Sequence, residues 1–469
     1  MKLLWKTHIA LSMLFLVSVP VFSKDIAILR DSLPPAWEYT SQYSTTLPSD
    51  DRWWEGFDDP VLTSLIKLGE NNSFDLSMAL HRIEMARQNW EVAKAAYYPT
   101  LGISAGWTKE QQSGVSSSMP GKAMGLDYFS LGLNFSWEID VFGRVREQSK
   151  ESKASYNASK AEYSAAMISL CSNIATAYFN YRLAQGRVDV AQRQITSQER
   201  ISKITDARHE AGLASKLDVV QSLTVLYSTQ ASLPALINMQ TAALNSIALL
   251  VGCYPDTIKE VLAPSRDLPN AFRMVKIGVP ADLIRRRPDI LQAEYELAGY
   301  AAAVGIAKKD FLPTLSLNGS VGTSAHKIDD LFSKNSFTYS IAPQLSWTIF
   351  EGLARNHRVA AAKEQMLAGI DNYNITVMNA VIETENALST YDSSLRQIAL
   401  YRKVLKESEE SFTLAVDRYK KGLSSFTDVM NAQISMLDYE NTLLETRASA
   451  LTSLVKIYAA VAGSPEGNE

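Results

Sequence analysis

The sequence predicts an α+β membrane protein built from two similar halves, each holding two β-strands and long helices. Three observations carry that expectation. Motifs recur in the same order at a nearly constant offset, four segments alternate in polarity over the length of a bilayer-spanning strand, and two proline-free stretches each read as one very long helix.

The N-terminus is set apart first. Lys2 and Lys6 precede an apolar run from Ile9 to Val19, and Val21-Phe22-Ser23 follows as a cleavage-site pattern, so residues 1–23 are expected to be a cleaved secretory signal. A membrane anchor would need about 18 to 20 apolar residues, and Ser12, Ser18 and Pro20 break this run. The net charge of −4 for the whole chain becomes −6 without the two lysines, because the segment contains no acid. No Cys lies near the cleavage point to carry a lipid. Cys171 and Cys253 both sit in apolar helical contexts, where buried inert thiols are expected.

The repeat is explicit. Ala93-Lys94 through Tyr98-Pro99-Thr100-Leu101 returns as Ala307-Lys308 through Leu312-Pro313-Thr314-Leu315, and Ser136-Trp137-x-Ile139 returns as Ser346-Trp347-x-Ile349. Arg208-x-x-x-Gly212-Leu213-x-Ser215-x-x-Asp218-Val219 returns as Arg418-x-x-x-Gly422-Leu423-x-Ser425-x-x-Asp428-Val429. These matches divide the chain into an N-terminal segment at 24–60, a first repeat at 61–252, a linker at 253–287, a second repeat at 288–463 and a tail at 464–469.

Each half reads as helix, two strands, a very long helix, a short Gly-containing loop and a further helix. The strands are expected at Leu101–Trp107 and Phe129–Ile139, then at Leu315–Val321 and Phe337–Phe350, with exposed loops over Lys109–Asp127 and Thr323–Ser336. In the second strand Leu131, Leu133, Phe135, Trp137 and Ile139 share one parity. The long helices run from about Arg144 to Glu210 and from about Gly352 to Lys421. In the second of them Leu388, Tyr391, Leu395, Ile398, Arg402, Leu405, Glu409, Phe412, Val416 and Tyr419 fall at spacings of three and four, which implies a coiled-coil seam. The first is less regular, with only Tyr178, Tyr181, Val188 and Ile195 apolar at the matching positions, and Pro234 should kink its return helix.

Four alternating strands of roughly ten residues suit a tilted membrane β-sheet, and no segment reads as a membrane-spanning helix. Four strands cannot close, and open edges are not tolerated in lipid, so copies must pool their strands. Two copies give eight strands, filled by side chains; three give twelve, which can leave a lumen. A small soluble sheet packed on helices is the alternative.

Composition excludes several function classes. Lys+Arg 46 against Asp+Glu 50 gives no basic excess for nucleic acid, and five His with two Cys offer little to a metal or a disulfide framework. There is no P-loop, H-E-x-x-H or C-x-x-C motif, and Gly319-x-x-Gly322 is too short to cradle a phosphate. Neither catalysis nor a cofactor nor a bound metal is expected.

Further motifs narrow the reading. Val279-Pro280-Ala281-Asp282-Leu283-Ile284-Arg285-Arg286-Arg287-Pro288-Asp289-Ile290, then Ala303-x-x-Gly305-x-Ala307 and Phe311-Leu312-Pro313, resemble the signature of the outer membrane factors, the TolC/OprM/NodT-type exit ducts. Trp53-Trp54-x-x-Phe57-x-Asp59-Pro60 and Trp137-Glu138-Ile139-Asp140-Val141-Phe142-Gly143-Arg144 match the same family. The resemblance implies a homotrimer whose twelve-stranded β-barrel in the outer membrane continues as a twelve-helix periplasmic α-barrel, with 24–60 and 253–287 in an equatorial mixed α/β region. It implies a passive duct that docks a periplasmic adaptor protein and an inner-membrane pump, most often proton-driven and of the RND type, and lets drugs or other small toxic compounds leave the cell. A duct for type I protein secretion shares the fold, and a non-channel coiled-coil tether is the reading from outside it. Arg285, Arg286 and Arg287 suggest an anion site, but in the family this segment is structural.

The resemblance also assigns sites. Gly212, Leu213, Ala214 and Ser215, with Gly422, Leu423, Ser424 and Ser425, match the tip stretches that receive the adaptor. The closing ring follows the second tip, usually as a Leu, an Asp four residues on and an Arg three after that. Here those positions hold Thr427, Asn431 and Ile434, so closure would rest on apolar contact and amide hydrogen bonds. Asp428 lies beside that stripe and repeats Asp218, and both stand where a helix cap would.

Overall fold

The computed structural model describes residues 52–112, 124–263, 267–269 and 286–461. The expected signal at 1–23, most of the segment at 24–60 and of the linker at 253–287, Arg285, and the tail at 464–469 lie outside the described residues. A 3-10 turn at Trp53–Phe57 leads into α1 (Pro60–Asn72) and α2 (Phe74–Ala95), then β1 (Thr100–Gln112), β2 (Met124–Ile139), α3 (Arg144–Glu210) and α4 (Lys216–Val251). After the short α5 (Pro255–Leu262), the pattern repeats as α6 (Pro288–Lys309), β3 (Thr314–Ala325), β4 (Phe337–Ser346), α7 (Ala354–Lys420) and α8 (Phe426–Val461).

The four strands form one antiparallel sheet in chain order. Their register keeps the two parities on opposite faces: Ile103 lies opposite Leu133, Leu133 opposite Val321, and Val321 opposite Tyr339. One face is therefore apolar across all four strands and the other carries small polar residues, as period-two geometry requires. Two glycines are steric necessities here. A Cβ on Gly322 would lie 2.4 Å from the Leu131 carbonyl oxygen, and one on Gly319 would enter the Phe135 ring.

The strand limits differ from those expected. The first pair runs on through Lys109 to Gln112 and resumes at Met124, because Lys109 pairs in register with Asp127 and the Trp107 indole donates to the Asp127 carboxylate at 2.7 Å. Backbone pairing there overrides a composition that reads as loop. In the second pair β3 likewise continues through Thr323 to Ala325, and β4 stops at Ser346 where its partner β3 begins at Thr314. Trp347 instead turns its indole to donate to the Phe311 carbonyl at 2.9 Å, and its repeat Trp137 does the same to the Tyr97 carbonyl at 2.9 Å. That pair of bonds is the physical content of the repeated Ser-Trp-x-Ile motif: each indole ties the end of a strand to the helix-strand corner before it.

The rest of the Trp137–Arg144 motif builds the step from sheet to helix. Glu138 takes two bonds from the Arg144 guanidinium, at 3.1 and 2.7 Å. Asp140 accepts from the Val145 and Arg146 amides at 3.0 and 2.9 Å, satisfying donors that the first turn of α3 leaves free.

Helices α3 and α7 are each 67 residues long, about 100 Å at 1.5 Å per residue, and α4 and α8 are each 36. Along α3 lie α2 and α6 toward the sheet, and α4 and α8 toward the other end. In the expected α7 seam, Leu388, Tyr391, Ile398 and Tyr419 are buried, whereas Arg402 and Glu409 are exposed in the single chain. Helix α4 runs unbroken through Pro234. By length and composition it could cross a membrane, with a mean hydropathy of 1.3 over its most apolar window, contrary to the expectation that no segment reads this way. It packs back along α3 from the tip loop, burying Val219, Leu226, Leu244, Ile247 and Val251, while Leu217, Tyr227 and Leu249 stay exposed in the single chain.

The largest core sits midway along the long helices, where the Trp53–Phe57 turn, α1 and α5 pack on α3, α4, α7 and α8. Asp59 caps α1 through the Val61 and Leu62 amides at 2.9 and 3.4 Å, and also accepts from the Tyr178 hydroxyl at 2.5 Å. Burial, and then that bond, push the Tyr178 phenol above its ordinary range. Both cysteines are free, and burial pushes the Cys171 thiol up to about 12, as an inert core thiol requires. Arg287 is bound to Asp289 and Glu383, at 2.7 and 3.1 Å, which ties the start of α6 to α7.

Candidate functional site

Both helical hairpins end in the same turn. After α3 the Leu213 amide donates to the Arg208 carbonyl at 2.7 Å and the Gly212 amide to the His209 carbonyl at 2.9 Å, with Gly212 at φ +73°. After α7 the Leu423 amide donates to the Arg418 carbonyl and the Gly422 amide to the Tyr419 carbonyl, each at 2.9 Å, with Gly422 at φ +74°. This is the Schellman closure, and only glycine enters the left-handed region without strain.

The next helix starts with reciprocal caps. The Asp218 amide donates to the Ser215 hydroxyl at 3.1 Å while the Ser215 amide donates to the Asp218 carboxylate at 3.2 Å. The Asp428 amide and Ser425 hydroxyl match this at 3.2 Å, and the Ser425 amide donates back at 3.0 Å. Both acids are therefore cap residues, and the Asp428 carboxylate also accepts from the Ser425 hydroxyl at 2.9 Å. Repetition of Gly-Leu-x-Ser-x-x-Asp made this legible in the sequence, because the spacing supplies both the αL residue and the capping box.

Capping leaves the tip side chains free. Leu213 and Leu423 are 66% and 64% exposed at the end of the molecule. Ala214 lends its carbonyl to His209 Nδ1 at 2.9 Å, and the Ser424 hydroxyl bonds the Ala415 carbonyl at 3.4 Å. On α8, Phe426, Val429 and Gln433 turn inward, while Thr427, Asn431 and Ile434 occupy one exposed stripe. The structure thus brings the three expected gate positions together on a single face, beginning two residues past the second tip.

Two residues that motif reading left without a role complete the site. The Arg208 guanidinium donates to its own loop at the Leu213 carbonyl, 3.2 Å, and to the other loop at the Lys420 carbonyl, 2.6 Å, and it stands 4.9 Å from the Tyr419 ring centre. It clamps the two tips together. Arg418, its repeat, closes only its own loop at the Leu423 carbonyl, 3.3 Å. Both arginines recur in the motif, but spacing alone could not show that one of them crosses between hairpins. Beside the second tip an open groove of about 580 Å³ runs between Glu407, Glu410, Leu414 and Leu423. Among the described residues no group of three or more His, Cys, Asp or Glu gathers as a metal site would need.

A family model described as outer membrane efflux protein matches residues 65–253 and 279–463, most of the chain. The chain belongs to this family. It is 29% identical over 415 residues to nodulation protein T of Rhizobium leguminosarum bv. trifolii, covering 87% of this chain and 85% of that protein. It is 27% identical over 450 residues to the solvent efflux pump outer membrane protein SrpC of Pseudomonas putida, covering 95% and 94%. Among solved structures, the outer-membrane channel OprN superposes with a TM-score of 0.85 at 29% identity, over 92% of this chain and 97% of that one. VceC of Vibrio cholerae does so at 0.80 and 25% identity, over 89% and 100%. The fold is that of these trimeric channels, with four strands from each chain in the β-barrel and a helical barrel below. This chain is accordingly an outer-membrane efflux duct, and it is not an enzyme.

Proposed function

We propose that the chain is the outer-membrane exit duct of a tripartite system that removes drugs or other small toxic compounds, with an RND-type proton-driven pump in the inner membrane and a periplasmic adaptor between. Three copies pool their strands to close twelve, and their hairpins form a twelve-helix tunnel through the periplasm. The observation that carries this reading is the four-stranded sheet itself. Its edge strands β1 and β4 carry exposed apolar side chains, with Ile103 at 77% and Tyr339 at 74%, which lipid can cover, whereas their open backbone edges can be closed in lipid only by other copies. The relatives' described cargoes, solvent, toluene, pyoverdine and antibiotic, are small molecules and favour efflux over polypeptide secretion.

In this reading Gly212, Leu213, Ala214 and Ser215, with Gly422, Leu423, Ser424 and Ser425, receive the adaptor, and the exposed Leu213 and Leu423 supply the apolar contact. Thr427, Asn431 and Ile434 meet their counterparts from the other copies and close the tunnel. A cleaved signal at 1–23 directs export, and no lipid is attached.

The test is planar-bilayer conductance of the detergent-extracted protein, with its mass from light scattering corrected for detergent. A trimer of small conductance that opens in Asn431→Ala or Ile434→Ala is the expected result. Because the stripe is uncharged, its open probability should change little with ionic strength; strong salt dependence would remove the gate assignment. A water-soluble monomer or dimer without conductance would overturn the duct.

A further inference from the structure

The polar face of the sheet carries more than its being a lumen. It is the concave side: a hollow of about 520 Å³ lies against Asn134, Ser136, Asn318, Ser320 and Ser340. Neighbouring strands are joined across this face by side chains, with the Asn134 amide donating to the Ser104 hydroxyl at 2.7 Å and the Ser136 hydroxyl to the Asn318 amide oxygen at 2.7 Å. Every other position on this face between its two ends holds a small or neutral side chain, chiefly Ser, Gly and Thr.

Charge is confined to the ends. Glu110 stands at one end of the face and Glu138 at the other, the latter neutralised by Arg144 at 2.7 Å. Ser320 lies opposite Asn134 and Ser340, whereas Glu138 lies opposite Ser316, four residues down the same strand. At about 3.3 Å per residue that is roughly 13 Å, and Glu110 is farther still. Both distances exceed the screening length of about 8 Å at physiological salt.

Pores choose the sign of what they pass with rings of charged side chains, and a cleft of single sign raises counter-ion concentration by about 10- to 1,000-fold. Between Glu110 and Glu138 this face has no such ring, and three copies of Glu110 stand only at its far end. We infer that the β-barrel lumen of this duct does not sort solutes by charge: its hydroxyl and amide wall admits cationic, anionic and neutral small molecules on equal terms. Any selection for charge then belongs to the pump or the tips. The inference rests on the duct reading above, in which this face lines water.

The test reads the local potential and does not depend on the gate, because the lumen is reached from outside. Ser320→Cys, and separately Ser340→Cys, is reacted in membranes with a cationic and an anionic methanethiosulfonate of similar size. Each rate is divided by that reagent's rate with a small free thiol, and the unaltered chain supplies the background from Cys171 and Cys253. The corrected cation-to-anion ratio is expected within about threefold of one at both positions. Adding Asn318→Asp, which puts a carboxylate on the same face in each copy, is expected to shift it toward the cation by about tenfold. A ratio beyond about threefold in either direction in the chain without Asn318→Asp would overturn the neutral lumen while leaving the duct intact. If neither cysteine reacts with either reagent until the protein is denatured, the face does not line water, and the duct reading falls with the inference.

Discussion

Tyr178 in α3 and Leu388 in α7 occupy the same position of the repeat, 210 residues apart, and they are held differently. Leu388 is fully buried among apolar side chains, while Tyr178 is equally buried but directs its hydroxyl to Asp59 at 2.5 Å. The contrast continues toward the tips. Gln194, Gln198, Ser202 and Thr205 are buried in α3, whereas the matching residues of α7 are Val404, Ser408, Phe412 and Ala415. The lower half of α3 thus buries a run of polar side chains where α7 keeps only Ser408 among Val404, Phe412 and Ala415, and one of them, Gln194, takes its bond from Gln433 of the other hairpin. Position in the fold explains the difference: α3 lies between α4 and α8, so its rotation must satisfy two partners, and polar pairs specify rotation where apolar surface does not.

The largest effects should come from breaking that contrast at its centre. Leu388→Ala removes a side chain with no exposure and is expected to lower stability by about 2–5 kcal/mol. Tyr178→Phe keeps the ring and loses the bond to Asp59 and the one accepted from Arg182 Nε at 3.1 Å, for about 1.5–3 kcal/mol. Denaturant unfolding of both variants in one detergent measures the two values. Equal losses would mean that the Tyr178 hydroxyl and the Leu388 side chain hold their helices alike, and the contrast would be wrong.

A second pair sharpens the comparison lower down. The Gln433 amide of α8 donates to the Gln194 amide oxygen at 3.2 Å in a buried setting. Gln433→Leu leaves Gln194 without that donor and should cost about 1–3 kcal/mol. Joining it with Gln194→Val, the kind of residue α7 carries at the matching Val404, should recover much of the loss, since removing both partners of a buried pair can be nearly neutral. A double-mutant cycle by the same unfolding measurement decides it; additive losses would show that the two amides act separately.

Much of this architecture was legible in the residues. Period two in Leu131 to Ile139, the absence of proline from Arg144 to Glu210, and the recurring Gly-Leu-x-Ser-x-x-Asp gave strands, long helices and tip turns with little ambiguity, because each reflects local backbone geometry. The strand limits were less legible. Lys109, Glu110 and Asp127 look like loop residues, and only the partner strand shows that they are paired. The buried polar seam of α3 was hidden for the same reason: nothing in the spacing marks Gln194 as buried, and only Gln433 from α8 shows what it meets. The stripe Thr427, Asn431 and Ile434 could be located from its spacing past Gly422, but which surface it meets depends on other copies of the chain. Arg208 shows the limit most clearly, since its motif is identical in spacing to that of Arg418 and only its neighbours differ.

That last difference gives the smallest predicted effect and the sharpest test of the comparison. Arg208 holds Leu213 and Lys420 together and covers the Tyr419 ring, whereas Arg418 holds Leu423 alone. Arg208→Ala should destabilise the tips by about 1–2 kcal/mol, because bonds from a charged donor to two loops are lost at once. Arg418→Ala, at an exposed site with one long bond, should cost about 0.5 kcal/mol. Amide hydrogen exchange resolves the two. In Arg208→Ala, protection should fall around both Gly212 and Gly422; in Arg418→Ala, around Gly422 only. Loss confined to Gly212 in Arg208→Ala would mean that the bridge to Lys420 does not couple the hairpins, and that the two halves, despite their different seams, end in independent turns.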